Sequence, residues 1–532
     1  MSELRRPRVL VRERIAEAGV ELLRGSFDVD VDSEGDLAER IGDYDAIIIR
    51  SATTLTADLI ERAERLKVIG RAGVGVDNVD LAAASKRGII VANAPQSTVV
   101  SAAEHTIGLL LATACCIPQA HAALKQGRWE RSRFARVELA GKTLGLVGFG
   151  RIGQQVARRA HGLEMRVLAH DPYVAPERFR ELAVDRAETL AGLLAESDFI
   201  SLHLTLTAET HGLIGRNELA LARDGVRFVN CARGELVDED ALLEALRSGK
   251  VAAAALDVFC EEPYSGPLLE LDNVVVTPHL GASTREAQDR AGVIVAEQVA
   301  AALEGGVVTN AVNVPAVAAE DLEYLGPFLP LAGKLGALAV ELAAGHPTRL
   351  DFAYLGELAE RDTRLLTVAA LNGAFQGRVE YPVNYVNAPI VARERGIEVR
   401  EERRPSSPDF TSLIEVTAAT GAEEVVVAGT AIGREHRPRL VRALGYEIEV
   451  ELEPLMLFVV NDDRPGMIGT VGTLLGEGGV NIANMAVSRN RRGARALMAL
   501  SVDSPPPREL LERLRGSPGF VEIRFIVLPD SP

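Results

Sequence analysis

Short apolar runs alternate with amphipathic stretches along the first part of this chain. Up to about Ala94, the runs are rich in valine and isoleucine, and the segments between them repeat apolar residues at helical spacing. Because short, almost wholly apolar runs are typical of strands buried on both faces, they predict a parallel sheet covered by helices. The predicted strands lie near Val9–Val11, Phe27–Val31, Ala46–Ile49, Val68–Gly70 and Ile89–Val91.

The same alternation resumes after a single long helix predicted over about Val99–Leu124. Another helix, about Arg285–Leu303, follows the last strand of this second unit. The most economical layout returns that helix to the first sheet, so that two crossings join the two units and leave a hinged cleft between them. The predicted strands are Thr143–Val147, Met165–Ala169, Phe199–His203, Arg227–Asn230, Ala252–Leu256 and Val274–Thr277.

The pattern changes at Pro315 and again at Pro454. Between these prolines, helices and strands mix without a catalytic motif, and after Pro454 the order strand, helix, strand, strand, helix, strand predicts a ferredoxin-like sandwich. The predicted fold class is α/β, with two Rossmann-like parallel-sheet domains followed by an α+β intervening domain and a ferredoxin-like domain. The predicted domains are 1–96 with 285–314, 97–284, 315–452 and 455–532.

A glycine-rich turn follows the first strand of the second unit. Gly148, Gly150 and Gly153 separate this strand from a helix, and the next strand ends at Asp171. Such glycines permit a tight turn, close approach of a pyrophosphate and close packing of the helix, whose first amides face the phosphates. The carboxylate of Asp171 suits the ribose hydroxyls of NAD and repels the extra phosphate of NADP. The segment predicts an NAD site, and a purely structural turn is the alternative.

Composition narrows the classes of partner. The 532 residues carry a net charge of −17, which argues against nucleic acid or an anionic membrane as a partner. An anionic substrate therefore needs a local cluster of arginines. The four cysteines have neither metal-binding spacing nor a disulfide framework, so no metal site is expected, and a reducing cytoplasm fits. No apolar signal-peptide core precedes the first strand, which also favours the cytoplasm.

Three motifs follow strands of the second unit and supply Arg233, Glu262 and His279. Because ligands bind beyond the carboxyl ends of such strands, all three are expected beside the nicotinamide. A histidine can accept the hydroxyl proton of an alcohol that loses a hydride, and a neighbouring carboxylate can hold its ring. An arginine binds a substrate carboxylate through two parallel hydrogen bonds. Each residue alone also has a structural interpretation, but together they favour catalysis.

The motifs GFGRIG with Asp171, CARGE, DVFCEEP and TPHLGAST resemble those of the D-isomer-specific 2-hydroxyacid dehydrogenases, up to about residue 312. RSAT, RAGVGVDNVD and the C-terminal extension are similar to the long-form phosphoglycerate dehydrogenases of that family, which carry an intervening domain and a terminal ACT domain. The resemblance implies NAD-dependent oxidation of 3-phospho-D-glycerate to 3-phosphohydroxypyruvate, the first step of phosphorylated L-serine biosynthesis. It also implies a homo-oligomer, expected to be a tetramer, and feedback inhibition by L-serine.

The resemblance also implies roles for individual residues. The catalytic set is Arg233, Glu262 and His279, and the effector serine is held by Asp463 and Asn481 between paired ACT modules. Arg50, Ser51, Arg71, Val74 and Gly75 hold the substrate. The cofactor is lined by Gly148, Gly150, Arg151, Ile152, Gly153, Asp171, Leu204, Cys231, Ala232, Arg233, Asp257, His279, Leu280, Gly281 and Ala282.

Two other functions remain open at this stage. A hydroxypyruvate or glyoxylate reductase has the same motifs, but such relatives usually end near residue 320. An NADH-sensing binding protein of the co-repressor type has the same fold, but the acidic charge and the ACT-like end of this chain disfavour it. For the ACT-like module, a purely structural dimerisation role is the alternative to effector binding.

Overall fold

The computed structural model describes residues 5–315, 319–343, 345–407, 409–421, 423–433, 437–489 and 494–529. The strands of these residues are β1 (Arg8–Val11), β2 (Asp28–Val31), β3 (Ala46–Ile49), β4 (Val68–Arg71), β5 (Ile90–Ala92), β6 (Thr143–Val147), β7 (Arg166–His170), β8 (Asp185–Arg186), β9 (Phe199–Leu202), β10 (Val226–Asn230), β11 (Val251–Leu256), β12 (Val274–Val276), β13 (Arg349–Gly356), β14 (Glu398–Arg404), β15 (Ser412–Ala419), β16 (Glu424–Ile432), β17 (Arg437–Ala443), β18 (Tyr446–Glu451), β19 (Leu455–Asp462), β20 (Ile482–Arg489), β21 (Arg495–Val502) and β22 (Phe520–Val527).

The α-helices are α1 (Glu17–Ser26), α2 (Leu37–Arg40), α3 (Ala57–Arg62), α4 (Leu81–Lys86), α5 (Val99–Cys115), α6 (Ile117–Lys125), α7 (Arg151–His161), α8 (Pro176–Glu181), α9 (Leu190–Glu196), α10 (Arg216–Leu221), α11 (Glu239–Ser248), α12 (Arg285–Leu303), α13 (Ala319–Leu325), α14 (Phe328–Leu342), α15 (Arg364–Phe375), α16 (Ala388–Glu394), α17 (Met467–Glu477) and α18 (Arg508–Gly516).

The first five strands form a parallel sheet in the order β2-β1-β3-β4-β5. Every residue of the central strand β3 is buried, as expected for a strand covered by helices on both faces. Helix α12 lies on this sheet although it follows the second sheet in sequence. Its Val295 and Val299 are completely buried in the same core as β1, β3 and β4. Gly70 makes this contact possible, because a Cβ there would lie 2.5 Å from Val295.

The second sheet is also parallel, in the order β12-β11-β10-β9-β6-β7-β8. All five residues of β6 are buried. The strand order reverses between β6 and β9, which is where a doubly wound sheet opens its ligand crevice. The predicted parallel α/β class is confirmed for both sheets.

The single helix predicted over Val99–Leu124 is wrong. The structure has two helices, α5 and α6, that are bent by 64° to each other. Cys116 between them has φ +52°, a left-handed conformation. Pro118 at the start of α6 explains the break, because its ring and missing N–H disfavour a continuous helix through this point.

The C-terminal half contains two further sheets that share one core. The first has the order β14-β13-β15-β16-β17-β18, and the second is antiparallel with the order β20-β21-β19-β22. One face of the second sheet is covered by its own helices α17 and α18. Residues of the opposite face, including Phe458, Leu497 and Ile526, are buried in the same cluster as Leu335 of α14. The sequence boundary at Pro454 therefore lies within a continuous hydrophobic core.

None of the helices in the described ranges is by itself long and apolar enough to cross a membrane. The helices α5 and α6, which are bent relative to each other, are long and apolar enough only when they are counted together.

Candidate active site

The glycine-rich turn after β6 is shaped by contacts that leave no room for side chains. Gly148 has φ +96°, and a Cβ there would lie 2.5 Å from the carbonyl oxygen of His203. A Cβ on Gly153 would lie 2.5 Å from the carbonyl oxygen of Gly148, so helix and turn meet backbone to backbone. Burial lowers the pKa of His203 to about 4, so the imidazole near this turn is uncharged at neutral pH.

Gly150 has the opposite environment, and this suits a pyrophosphate. A Cβ on Gly150 would meet nothing within 4 Å among the described residues. Helix α7 starts directly after Gly150, which is its N-cap residue and forms no side-chain hydrogen bond to the first amides of the helix. Amides at a helix N-terminus that have no side-chain cap and face open space can bind phosphate oxygens.

Asp171 lies where the ribose of a dinucleotide is expected. Its Oδ2 accepts the backbone N–H of Phe149 at 2.8 Å, and its Oδ1 accepts that of Tyr173 at 2.9 Å. Each carboxylate oxygen has a further lone pair for a ribose hydroxyl. The residues present therefore fit a dinucleotide: the turn and α7 would hold its pyrophosphate, and Asp171 its ribose.

The three chemical motifs end neighbouring strands of the second sheet. Asn230, the last residue of β10, pairs with Leu256 at the end of β11, and Leu256 pairs with Val276 at the end of β12. The segments that carry Arg233, Glu262 and His279 thus leave the same edge of the sheet side by side. Gly234 lies against the backbone of Phe259, so the first two segments are in direct contact.

His279 and Glu262 form a hydrogen-bonded pair. Nδ1 of His279 lies 2.9 Å from Oε2 of Glu262, while Oε1 of Glu262 accepts the backbone N–H of Phe259 at 3.2 Å. The imidazole is about half exposed, at 48%. Because Nδ1 faces a carboxylate, it carries a proton, and Nε2 is left as the acceptor that a general base needs.

Asp257 organises the loop that carries His279. It is 1% exposed, and its carboxylate accepts hydrogen bonds from Thr277 Oγ1 (2.5 Å), Leu280 N (2.7 Å) and Gly281 N (2.8 Å). Nε2 of His105 lies 3.1 Å away on the remaining side. Burial raises the pKa of Asp257, but the hydrogen bonds from His105, Thr277 and the two amides outweigh it and hold this pKa below its usual range.

Arg233 reaches from the second sheet toward the first. Its Nε lies 3.5 Å from Oδ2 of Asp77, and its Nη1 donates to the carbonyl of Ala232 at 2.7 Å. The Nη2 atom lies so close to Gly75 that a Cβ there would collide with it. Gly75 therefore lets the guanidinium enter the cleft between the two sheets.

Arg71 ends β4 and Arg50 directly follows the neighbouring strand β3, whose last residue Ile49 pairs with Arg71. Burial lowers the pKa of Arg71, and the positive charge of Arg233 lowers it further. Nε of Arg71 is buried and has no hydrogen-bond partner among the residues described. A partly buried arginine whose buried Nε has no partner among the described residues, and which lies near two other arginines, is expected to bind an anion.

Glu13 is a residue of this site that the sequence analysis missed. Its carboxylate accepts the backbone N–H groups of Arg50 (2.8 Å), Thr53 (2.9 Å) and Ala52 (3.2 Å). It is the second residue after β1, so the rule that functional residues follow parallel strands could have identified it. Asp77 and His105 were missed as well, and His105 lies inside a helix where no motif marks it.

The remaining residues predicted for the cofactor and substrate lie on the same segments. Leu204 contacts the glycine turn through Gly148, and Ala232 N donates to Oδ1 of Asn230 at 2.9 Å. Burial raises the pKa of Cys231 to about 12, so its thiol stays protonated. Arg151, Ser51 and Ala282 are exposed, Leu280 is largely exposed, and Ile152 and Val74 are half-buried.

The two residues predicted to bind serine lie at opposite ends of the last sheet. Asp462 pairs with Arg495 at the start of β21, whereas Ile482 pairs with Val502 at its end. Asp463 and Asn481, which flank these pairs, are thus separated by the length of β21, roughly 20 Å or more at about 3.4 Å per residue. Within one chain, Asp463 lies 3.5 Å from Arg489, and Asn481 donates to Asp503 at 2.7 Å.

Comparison with known proteins agrees with this geometry. The sequence model for the NAD-binding domain of D-isomer specific 2-hydroxyacid dehydrogenases matches residues 107–281. The D-3-phosphoglycerate dehydrogenase intervening domain matches residues 324–443, and the ACT domain matches residues 455–519.

Curated relatives match over almost the whole chain. The D-3-phosphoglycerate dehydrogenase of Methanocaldococcus jannaschii is 43% identical over 525 residues, which cover 98% of this chain and 100% of that protein. The enzyme of the same name from Mycobacterium leprae is 44% identical over 506 residues, covering 94% and 95%. This chain is a D-isomer-specific 2-hydroxyacid dehydrogenase of the long-form phosphoglycerate dehydrogenase family.

A solved structure matches more than half of the chain. A glyoxylate reductase from Paecilomyes thermophila has a TM-score of 0.53 and 32% identity, and the match covers 58% of this chain and 98% of that one. The match to the NAD-binding domain and to the named dehydrogenases identifies the chain as an NAD-dependent oxidoreductase, which also carries the intervening and ACT domains.

Proposed function

We propose that this enzyme oxidises 3-phospho-D-glycerate to 3-phosphohydroxypyruvate with NAD. The observation that carries the proposal is the partly buried Arg71, whose buried Nε has no partner among the described residues and which lies near Arg50 and Arg233. Three guanidinium groups from two sheets suit a small substrate with two anionic ends, a carboxylate and a phosphate. The two near-full-length relatives carry the name of this activity.

The proposed substrate position gives each residue a task. Arg233 holds the carboxylate, and Arg50 and Arg71 hold the phosphate from the first sheet. Nε2 of His279 then faces the C2 hydroxyl and takes its proton, while Glu262 on Nδ1 stabilises the imidazolium that forms. When bound at the glycine turn and Asp171, NAD would supply the acceptor for the hydride that leaves C2, so the proton and the electron pair of the alcohol are both accounted for.

Regulation and assembly complete the proposal. The C-terminal module binds L-serine through Asp463 and Asn481 and inhibits the enzyme, and the active unit is a tetramer with two kinds of two-fold interface. The enzyme works in the cytoplasm. Its domains are 1–96 with 285–314, 97–284, 315–452 and 455–532.

A direct assay tests the proposed reaction. The protein is mixed with NAD and 3-phospho-D-glycerate, and NADH absorbance is followed, with unphosphorylated D-glycerate as the matched comparison. We expect turnover with the phosphorylated substrate and much weaker turnover without the phosphate. Preference for glyoxylate or hydroxypyruvate with NADH would identify a reductase instead, and binding of NADH without any turnover would identify a sensor.

A further inference from the structure

One face of α5 forms hydrogen bonds with both ends of the loop Thr277–Thr284, which carries His279. Nε2 of His105 lies 3.1 Å from Oδ1 of Asp257 and 3.1 Å from Oγ1 of Thr277, at the start of the loop. Oγ of Ser101 lies 2.9 Å from Oγ1 of Thr284, at its end. Ser101 and His105 are four residues apart, so they lie one turn from each other on the same face of the helix.

Asp257 connects the hydrogen bonds of His105 to the proposed base His279. The backbone N–H of His279 donates to the carbonyl oxygen of Asp257 at 2.8 Å, while the Asp257 carboxylate holds the amides of Leu280 and Gly281. His279 itself has φ +54°. A residue other than glycine keeps such a conformation only when its surroundings fix it. The fixed surroundings here are Asp257 and Thr277, and His105 is hydrogen-bonded to both.

We propose that His105 is a positioning residue for the reaction. Its Nε2–H holds Asp257 and Thr277 in place, and through them it orients the imidazole of His279 toward the C2 hydroxyl. Asp257 is an acceptor here, so Nε2 of His105 must carry the proton. Ser101 fixes the far end of the same loop next to α12, which lies on the first sheet. This inference rests on the proposed role of His279 as the base.

Two substitutions separate the hydrogen bond from the bulk of the side chain. His105→Gln keeps an amide donor near the position of Nε2, whereas His105→Leu keeps the volume without a donor. We expect His105→Leu to lower kcat about 10- to 100-fold, the scale of a misplaced catalytic group, with little change in KM for 3-phospho-D-glycerate. His105→Gln should recover most of the rate. His121→Leu, at an exposed position on α6, is the control and should behave as wild type.

The kinetic isotope effect on kcat distinguishes positioning from a general structural role. With substrate deuterated at C2, His105→Leu should show a larger isotope effect than wild type, because a badly oriented base makes the chemical step rate-limiting. A milder variant, Ser101→Ala, should raise the isotope effect in the same direction.

Several outcomes would overturn the inference. A kcat of the wild-type value in His105→Leu would contradict a positioning role. A lower rate with an unchanged isotope effect would also contradict it, because that result means that fewer molecules are active. Equal losses in the Gln and Leu variants would also count against a donor role. If His279→Ala itself kept its activity, the proposed base would be wrong, and this inference would fail with it.

Discussion

The proposed catalytic pair is defined by the orientation of two side chains on separate loops. His279 presents Nε2 because Glu262 occupies Nδ1, and the backbone of His279 is fixed from Asp257. This arrangement needs neighbouring strands that end level with one another, which β11 and β12 provide. The geometry explains why a half-exposed histidine can be held in one orientation.

His279→Ala tests the proposed base directly. The substitution removes the proton acceptor, so we expect kcat to fall by roughly two to four orders of magnitude while NAD binding is retained. Steady-state kinetics and titration with NADH measure the two effects. The control is His211→Ala, at an exposed position. Turnover near the wild-type rate would exclude His279 as the base.

Arg233→Lys tests the carboxylate clamp. Lysine keeps the positive charge but loses the planar pair of donors, so we expect kcat/KM to fall about 100-fold, with NAD affinity little changed. Arg247→Lys, on the exposed side of α11, is the matched control. Full activity in Arg233→Lys would mean that charge alone is sufficient.

Arg50→Ala tests recognition of the phosphate. If Arg50 binds the phosphate, the substitution should raise KM for 3-phospho-D-glycerate much more than KM for D-glycerate. Arg24→Ala is the control, because Arg24 lies in the last turn of α1, whereas Arg50 directly follows β3. Equal losses on both substrates would contradict a phosphate contact.

At the residue scale, the sequence identifies what lies in motifs and misses what supports them. Arg233, Glu262 and His279 each follow a strand, and a general rule of parallel sheets marks such positions. Glu13 follows a strand as well, but it acts through three backbone amides, so no motif around it shows this role. His105 lies within a helix, and only the tertiary structure brings it to Asp257. Supporting contacts between distant segments have no local pattern.

At the scale of elements, the sequence predicts best where burial dictates the pattern. Strands such as β3 and β6 are wholly buried, and their apolar runs are unmistakable. Strand β14 is the opposite case, because all of its residues are exposed and most are charged. It is held by backbone pairing with β13 and by pairs of charges two residues apart, such as Glu402 with Arg404 at 2.6 Å. No apolar period marks such an edge strand.

At the scale of the whole molecule, the two sheets of the C-terminal half are packed into one hydrophobic core. The sheet β20-β21-β19-β22 and the sheet before it share a single core, so a shift of one sheet must be accommodated by the other. Asn384, which precedes α16, donates to the carbonyl of Gly88 in the first unit at 2.6 Å. The C-terminal half thus contacts the first unit at Gly88, which precedes β5 and so lies at the edge of the sheet opposite to Arg71.

The separation of Asp463 and Asn481 leads to the last prediction. A free amino acid is far too short to span the length of β21, so one chain cannot supply both contacts to the same serine. Two modules could do so if a two-fold axis placed Asp463 of one copy beside Asn481 of the other. Each pair of modules then has two equivalent serine sites.

Complementation between two variants tests this arrangement. Asp463→Ala and Asn481→Ala should each abolish serine binding when present in every copy, while uninhibited turnover is retained. In a mixed pair, one site loses both residues and the other keeps both, so we expect one serine per pair of modules and partial inhibition. Co-expression with two different affinity tags isolates the mixed oligomer, and calorimetry counts the bound serine. If the mixed oligomer binds no serine although wild type does, the two residues do not form a shared site. If wild type gives neither heat nor inhibition with millimolar serine, the module serves assembly alone.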